Sequence, residues 1–95
     1  MELKDIILDC GEEHSFKLAD GRAIRSLSQF NEALSDMDEN VFRHHVNNEK
    51  NDFSAWIKEV INDEKLADSL LKTKDKNETH ILVLKRILEL VNEMT

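Results

Sequence analysis

Apolar residues recur at intervals of three and four from residue 27 onward, the spacing that places side chains on one face of an α-helix. The first such face is formed by Leu27, Phe30, Leu34 and Met37. Ser26 stands just before this face and Gln29 lies three residues later, a capping-box pattern whose two side chains can bond the free amides of a first helical turn. We therefore predict a helix over 27–36.

The same spacing predicts four further helices, at about 39–46, 52–61, 63–72 and 78–93. Asp38 is expected to cap the first of these and Asn62 the third, because in each case an apolar residue before the cap can pack on another one four residues after it. Residues 47–52 include three asparagines and no apolar side chain, so they are predicted to form a loop between two helices.

Before residue 26 the helical spacing is absent. Residues 3–8 are mostly apolar, which favours a short strand. Residues 15–19 alternate between apolar and polar, and Asp20-Gly21 separates them from residues 22–25. That dipeptide accepts the positive φ angles of a type I′ turn, so this part of the chain is predicted to form a tight β-hairpin.

Composition agrees with a mainly α class. The 95 residues are 40% hydrophobic and 35% charged, with no proline and two glycines. A chain of this length has apolar material for one core and lacks the turn residues that an all-β protein needs. We predict a mainly α (α+β) fold in which a short N-terminal β-hairpin or small antiparallel sheet packs on four to five short helices, as one domain over 1–95.

The single cysteine, Cys10, excludes an intramolecular disulfide and is typical of a reducing compartment. No apolar run approaches the roughly 18 residues of a membrane span, and the first residues mix charges of both signs. We expect a cytoplasmic protein that does not act at a membrane.

The net charge of −7 is distributed unevenly. Residues 1–42 hold ten acidic and four basic residues, whereas residues 43–95 hold ten acidic and nine basic ones. An acidic half of the chain repels phosphate backbones and favours basic protein surfaces. The expected partner is therefore another protein and not a nucleic acid.

The polar segment near the middle of the chain carries the candidate binding residues, which are His45, Asn47, Asn51, Asp52 and Trp56. Two interpretations are open. The segment can be structural, with Asn51 or Asp52 capping the next helix and His45 bonding to the loop backbone. Alternatively, the loop can present its asparagines, His44 and the Trp56 indole as a recognition surface.

The sequence gives little support for catalysis or metal binding. Adjacent histidines on a helix point about 100° apart and do not easily hold one ion. The chain has no tyrosine, no phosphate-binding glycine loop and no base next to Cys10. We expect no enzyme activity, no cofactor and no metal; the alternative hypothesis is a small ligand- or metal-sensing domain that uses His45 and Asp52, with His80 as a further ligand.

Two motifs in the chain resemble a small prokaryotic domain family of unknown function. They are Phe16-Lys17-Leu18-Ala19-Asp20-Gly21, and His45-Val46-Asn47 followed by Asn51-Asp52-Phe53-Ser54-Ala55-Trp56. The family signature is F-x-L-x-D-G, a helical spacer, then H-V-N-x-x-x-N-D-F-x-x-W, and the resemblance covers about residues 15–72. It implies an intracellular prokaryotic module and names no reaction, and His44 lies outside the motif.

The last predicted helix, 78–93, has an apolar arc that is wide for a terminal helix. The core of one chain can absorb this arc, or part of it can form a homodimer seam or a partner groove. The hypothesis that the sequence favours is a non-catalytic protein-interaction or regulatory module, which works through its acidic surface or through the loop from His45 to Trp56.

Overall fold

The computed structural model describes residues 9–93, and it confirms a mainly α chain with a short antiparallel hairpin. The predicted strand over 3–8 lies outside the described residues. The elements in chain order are a 3₁₀ turn Glu12–His14, β1 Phe16–Lys17, β2 Ala23–Ile24, α1 Leu27–Asp36, α2 Glu39–His45, α3 Asp52–Trp56 with a π-helical turn Ile57–Ile61, α4 Glu64–Leu70 and α5 Lys76–Asn92. The first of the helices, α1, has the predicted bounds.

The hairpin pairs Phe16 with Ile24, and its turn differs from the prediction. The Leu18 carbonyl accepts the Gly21 N–H, and the Leu18 N–H donates to the Arg22 carbonyl. Gly21 has φ 96°, whereas Asp20 is not among the described residues with positive φ. These bonds define a type I turn followed by a glycine bulge. The type I′ prediction was wrong because this longer loop spares Asp20 the strain of a left-handed conformation.

The start of α1 follows the predicted capping pattern with one change. The Ser26 Oγ accepts the Gln29 N–H at 3.1 Å. The Gln29 Oε1 accepts the Arg25 N–H at 2.8 Å, so the reciprocal bond closes one residue before the N-cap. Gln29 therefore also joins α1 to the end of β2.

The segment from α3 to α4 corrects the predicted cap at Asn62. Asn62 has φ 64° and ends the π-helical turn, a left-handed position that asparagine tolerates. Asp63 is the N-cap of α4 instead, and its Oδ1 accepts the Leu66 N–H at 3.0 Å. Its other carboxylate oxygen, Oδ2, lies 2.7 Å from the Nε of Arg86 on α5. Burial lowers the pKa of Arg86, but the bonds to Asp63 and Glu89 raise it above its ordinary value.

The last helix, α5, begins two residues earlier than predicted because Asp75 accepts the Glu78 N–H at 2.8 Å and caps it. The Nζ of Lys76 donates to the Met37 carbonyl at 2.8 Å, so α5 starts beside the end of α1 and packs along that helix. No helix within residues 9–93 is long and apolar enough to cross a membrane.

The centre of the core is Phe53 on α3, which is fully buried. Its ring centroid lies 4.8 Å from that of Phe30 on α1, 5.9 Å from that of Phe42 on α2 and 4.9 Å from that of Phe16 on β1. Tilted rings at these separations are favourable aromatic pairs. The hairpin and the first three helices therefore meet at one aromatic cluster, which sets the position of the neighbouring polar residues.

Candidate functional site

His45 is the last residue of α2, and its side chain is buried against this aromatic cluster. Its Nε2 lies 3.0 Å from the Ala19 backbone nitrogen in the hairpin turn, and its Nδ1 lies 3.1 Å from the Oδ2 of Asp52. Because a backbone amide can only donate, Nε2 is the unprotonated nitrogen that accepts. The neutral ring then carries its hydrogen on Nδ1 and donates it to Asp52.

Asp52 opens α3 and is half-buried. Its Oδ2 accepts from His45 and also from the Nζ of Lys50 at 3.0 Å. Burial raises the pKa of the Asp52 carboxyl, but the bonds from Lys50 and His45 outweigh burial and hold this pKa below its ordinary value. The carboxylate is therefore charged at neutral pH and holds the imidazole in place.

Asn51 bonds to two parts of the main chain. Its Oδ1 accepts the Ser54 N–H at 3.0 Å and so caps α3, as one of the predicted structural roles has it. Its Nδ2 donates to the Leu70 carbonyl at 3.0 Å, at the end of α4. Both functional groups of this amide are thus bonded within the chain.

Asn47 shapes the loop between α2 and α3. Its Oδ1 accepts the Glu49 N–H at 3.0 Å, and its Nδ2 donates to the Arg43 carbonyl at 3.3 Å. The Asn47 N–H donates to the Lys50 carbonyl at 3.0 Å, which closes the loop into a turn. Asn47 itself remains exposed, as do the next three residues.

Trp56, at the end of α3, is buried, and its indole Nε1 donates to the His14 carbonyl at 2.8 Å. Its ring meets those of Phe16 and Phe30 edge-on at 6.0 and 6.3 Å between centroids. The indole therefore joins the segment before β1 to α3 and is not presented at the surface.

The five candidate residues thus form one junction, which we call the His45 junction: His45, Asn47, Asn51, Asp52 and Trp56. The junction connects the hairpin, the loop and α3, and three of its side-chain bonds reach main-chain groups of distant segments, at Ala19, Leu70 and His14. Direct binding by these residues stays a prediction. A ligand at His45, Asn51 or Trp56 would have to replace bonds that hold the fold.

The metal-sensing hypothesis meets the same obstacle, since both nitrogens of the His45 ring are already bonded within the chain. Within residues 9–93, no group of three or more histidine, cysteine, aspartate or glutamate side chains could hold a metal ion. His44 is exposed, and its ring lies edge-on to that of His45. A metal at His45 would therefore have to displace Ala19 or Asp52.

Two features of the surface stand apart from the His45 junction. The first is the α5 stripe, which we define as Ile81, Leu84 and Leu88, with exposed fractions of 57%, 44% and 55%. The spacing of these residues is visible in the sequence, but the sequence does not show which side of the apolar arc of α5 is exposed. The second is a cavity between the hairpin and α1, which the sequence did not reveal because its walls come from two elements.

No family model, curated protein or solved structure matches this chain. The resemblance to the prokaryotic domain family stays a prediction.

Replacing His45 with phenylalanine tests the structural role of the imidazole. The change keeps an aromatic ring but removes the acceptor of the Ala19 N–H and the donor to Asp52. The Ala19 N–H then has no acceptor, whereas Asp52 keeps its bond from Lys50. One unsatisfied group of this kind costs about 1–3 kcal/mol, so we expect the free energy of unfolding to fall by about 2 kcal/mol in urea titrations. His44→Phe is the matched control, since His44 is exposed. Equal stability of the His45→Phe variant and the native chain would contradict this role.

The lowered pKa of Asp52 predicts a pH dependence of stability. A carboxyl whose pKa is lower in the folded chain stabilises that chain fully above its unfolded pKa of about 3.9, and this contribution is lost as the pH falls through the folded value. The Asp52→Asn variant should therefore be less stable than the native chain at pH 7, with a difference that shrinks below about pH 4. Urea titrations across this range measure it. The exposed Asp68→Asn serves as control, and a pH-independent difference for Asp52→Asn would contradict the assignment.

Proposed function

We propose that this chain is a non-catalytic protein-interaction module and that the α5 stripe is its contact surface. The supporting observation is the exposure of Ile81, Leu84 and Leu88 on a helix whose Val83 and Leu90 are fully or almost fully buried. Apolar surface removed from water contributes roughly 25 cal/mol per Å². An adjacent row of large exposed side chains therefore favours association with a second apolar surface.

The partner that we propose first is a second copy of the chain. The stripe follows a spacing of three and then four residues, which is the pattern of a helix seam that packs on another helix. Two identical stripes are complementary across a two-fold axis, since each presents to the other the surface that it needs to cover. A homodimer through α5, within the predicted 78–93 segment, follows from this symmetry.

The proposed kind of partner, the location in the cell and the lack of catalysis rest on the charge and the single cysteine of the chain. The net charge of −7 disfavours nucleic acid as a partner, since phosphate contacts need clustered basic residues. The single cysteine supports a cytoplasmic localisation, since thiols stay reduced in the cytoplasm. Cys10 supports no catalytic role either: burial raises the pKa of its thiol above the ordinary value, which disfavours the reactive thiolate.

The double variant Leu84→Gln/Leu88→Gln tests this surface. Both positions are exposed in one chain, so glutamine should leave the monomer folded and weaken only the association. We expect the mass from light scattering to rise toward that of a dimer with concentration in the native chain, and to stay monomeric in the double variant.

Leu71→Gln is the matched control, because Leu71 is 62% exposed but lies at the end of α4, outside the stripe. It should associate as the native chain does. Circular dichroism and urea titration verify that all variants fold. A native chain that stays monomeric at every concentration, or a double variant that still forms dimers, would contradict the homodimer.

A further inference from the structure

A groove of about 340 Å³ lies between the hairpin and α1, and we call it the hairpin groove. Its apolar wall is formed by Leu18 and Ile24 of the hairpin and Ala33 of α1, all of which are buried side chains. Its open side carries the carboxylates of Glu32 and Asp36 on α1. The groove thus combines an apolar wall with an acidic rim, on the acidic half of the chain.

The outer edge of β2 faces this groove with backbone groups that have no partner within residues 9–93. Hydrogen-bonded and non-hydrogen-bonded pairs alternate along an antiparallel ladder. Leu18 is bonded to Arg22, so the next pair, Lys17 with Ala23, is not hydrogen-bonded, and Phe16 with Ile24 is. The N–H and C=O of Ala23 therefore point away from β1. The N–H and C=O of Arg25 also point away from β1, but both are already bonded. The N–H donates to Gln29, and the C=O accepts from Cys10. Ala23, which lines the groove, has no such partner among residues 9–93.

The charges on the rim are unbalanced. Arg22 lies 3.0 Å from the carboxylate of Asp20 and 2.9 Å from that of Asp36, so one guanidinium serves two carboxylates. The Glu32 carboxylate has no ion-pair or hydrogen-bond partner within the described part of the chain. The rim therefore has an excess of negative charge, with Glu32 free to bind a cation.

We propose that the hairpin groove binds an extended, basic segment of another protein. The segment adds a strand to β2 through Ala23, in the manner of peptides that extend an exposed sheet edge. The aliphatic stem of one of its lysine or arginine side chains lies along Ala33, and the cationic end reaches Glu32 and Asp36. This proposal goes beyond the α5 stripe and does not depend on it, since the two surfaces share no residue.

The acidic rim favours a basic segment of another protein over the N-terminal segment of the same chain. Residues 1–8 contain Lys4 together with Glu2 and Asp5, so they bring no excess of positive charge to an acidic rim. A nucleic acid is disfavoured more strongly, because its phosphates would face Glu32 and Asp36. A basic peptide offers both a strand that can pair with Ala23 and positive charge for the rim.

The test uses a six-residue peptide of alternating lysine and valine, with both ends blocked, titrated into the full-length ¹⁵N-labelled protein. We expect saturable amide shifts that are largest at Ala23 and its neighbours, and binding that weakens as salt is added. Exposed ion pairs contribute modestly, so Glu32→Gln/Asp36→Asn should weaken binding about fivefold. Glu59→Gln/Glu64→Gln removes the same charge from exposed positions outside the groove and should bind as the native chain does.

Two further titrations test the charge and the backbone pairing. A peptide with glutamate in place of lysine should not bind, and a lysine–valine peptide that is N-methylated at alternate residues should lose binding, because it cannot pair with Ala23. Shifts confined to the α5 stripe, equal loss in both double variants, or equal binding of the glutamate peptide would overturn the proposal.

Discussion

Two hydrogen bonds of one buried imidazole on α2 connect this helix to the hairpin turn and to the start of α3. His45 accepts the Ala19 N–H of the hairpin turn through Nε2 and donates to Asp52 at the start of α3 through Nδ1. A two-stranded hairpin is marginal in water by itself and needs packing against helices. Here the packing comes from Phe16 on Phe53, and the imidazole supplies the polar bond that sets the position of the turn.

The residues that make the sequence motif distinctive are therefore not the residues that form the exposed surfaces proposed for binding. The motif residues His45, Asn51 and Trp56 direct their polar atoms to Ala19, Leu70 and His14, which belong to other segments of the chain. Buried polar groups need such partners, and a residue that supplies them is constrained by the fold itself. The surfaces proposed for binding, the α5 stripe and the hairpin groove, lie elsewhere.

Local patterns in the sequence predicted the local structure well. The helix over 27–36 has the predicted bounds because its apolar face and its Ser26 cap both act within a few residues. The failures also have local causes: a longer turn relieved Asp20 of a left-handed conformation, and Asn62 ended one helix while Asp63 capped the next. In the second case two adjacent residues, Asn62 and Asp63, are both of a type that can cap α4.

The site was less predictable, because its geometry depends on distant segments. Nothing near His45 in the sequence indicates that its acceptor nitrogen meets an amide 26 residues earlier. The hairpin groove likewise needs the relative placement of β2 and α1. Periodicity indicated that α5 was apolar on a wide arc, but which part of this arc is exposed depends on how α1 and α4 pack against it.

The most direct test of the His45 junction is the tautomer of the imidazole, measured by ¹⁵N NMR of the histidine ring in the native chain at neutral pH. We expect a neutral ring with hydrogen on Nδ1, an unprotonated Nε2, and a scalar coupling across the hydrogen bond from the Ala19 N–H. A ring protonated on Nε2, or an Ala19 amide that exchanges with solvent as freely as an open loop, would contradict it.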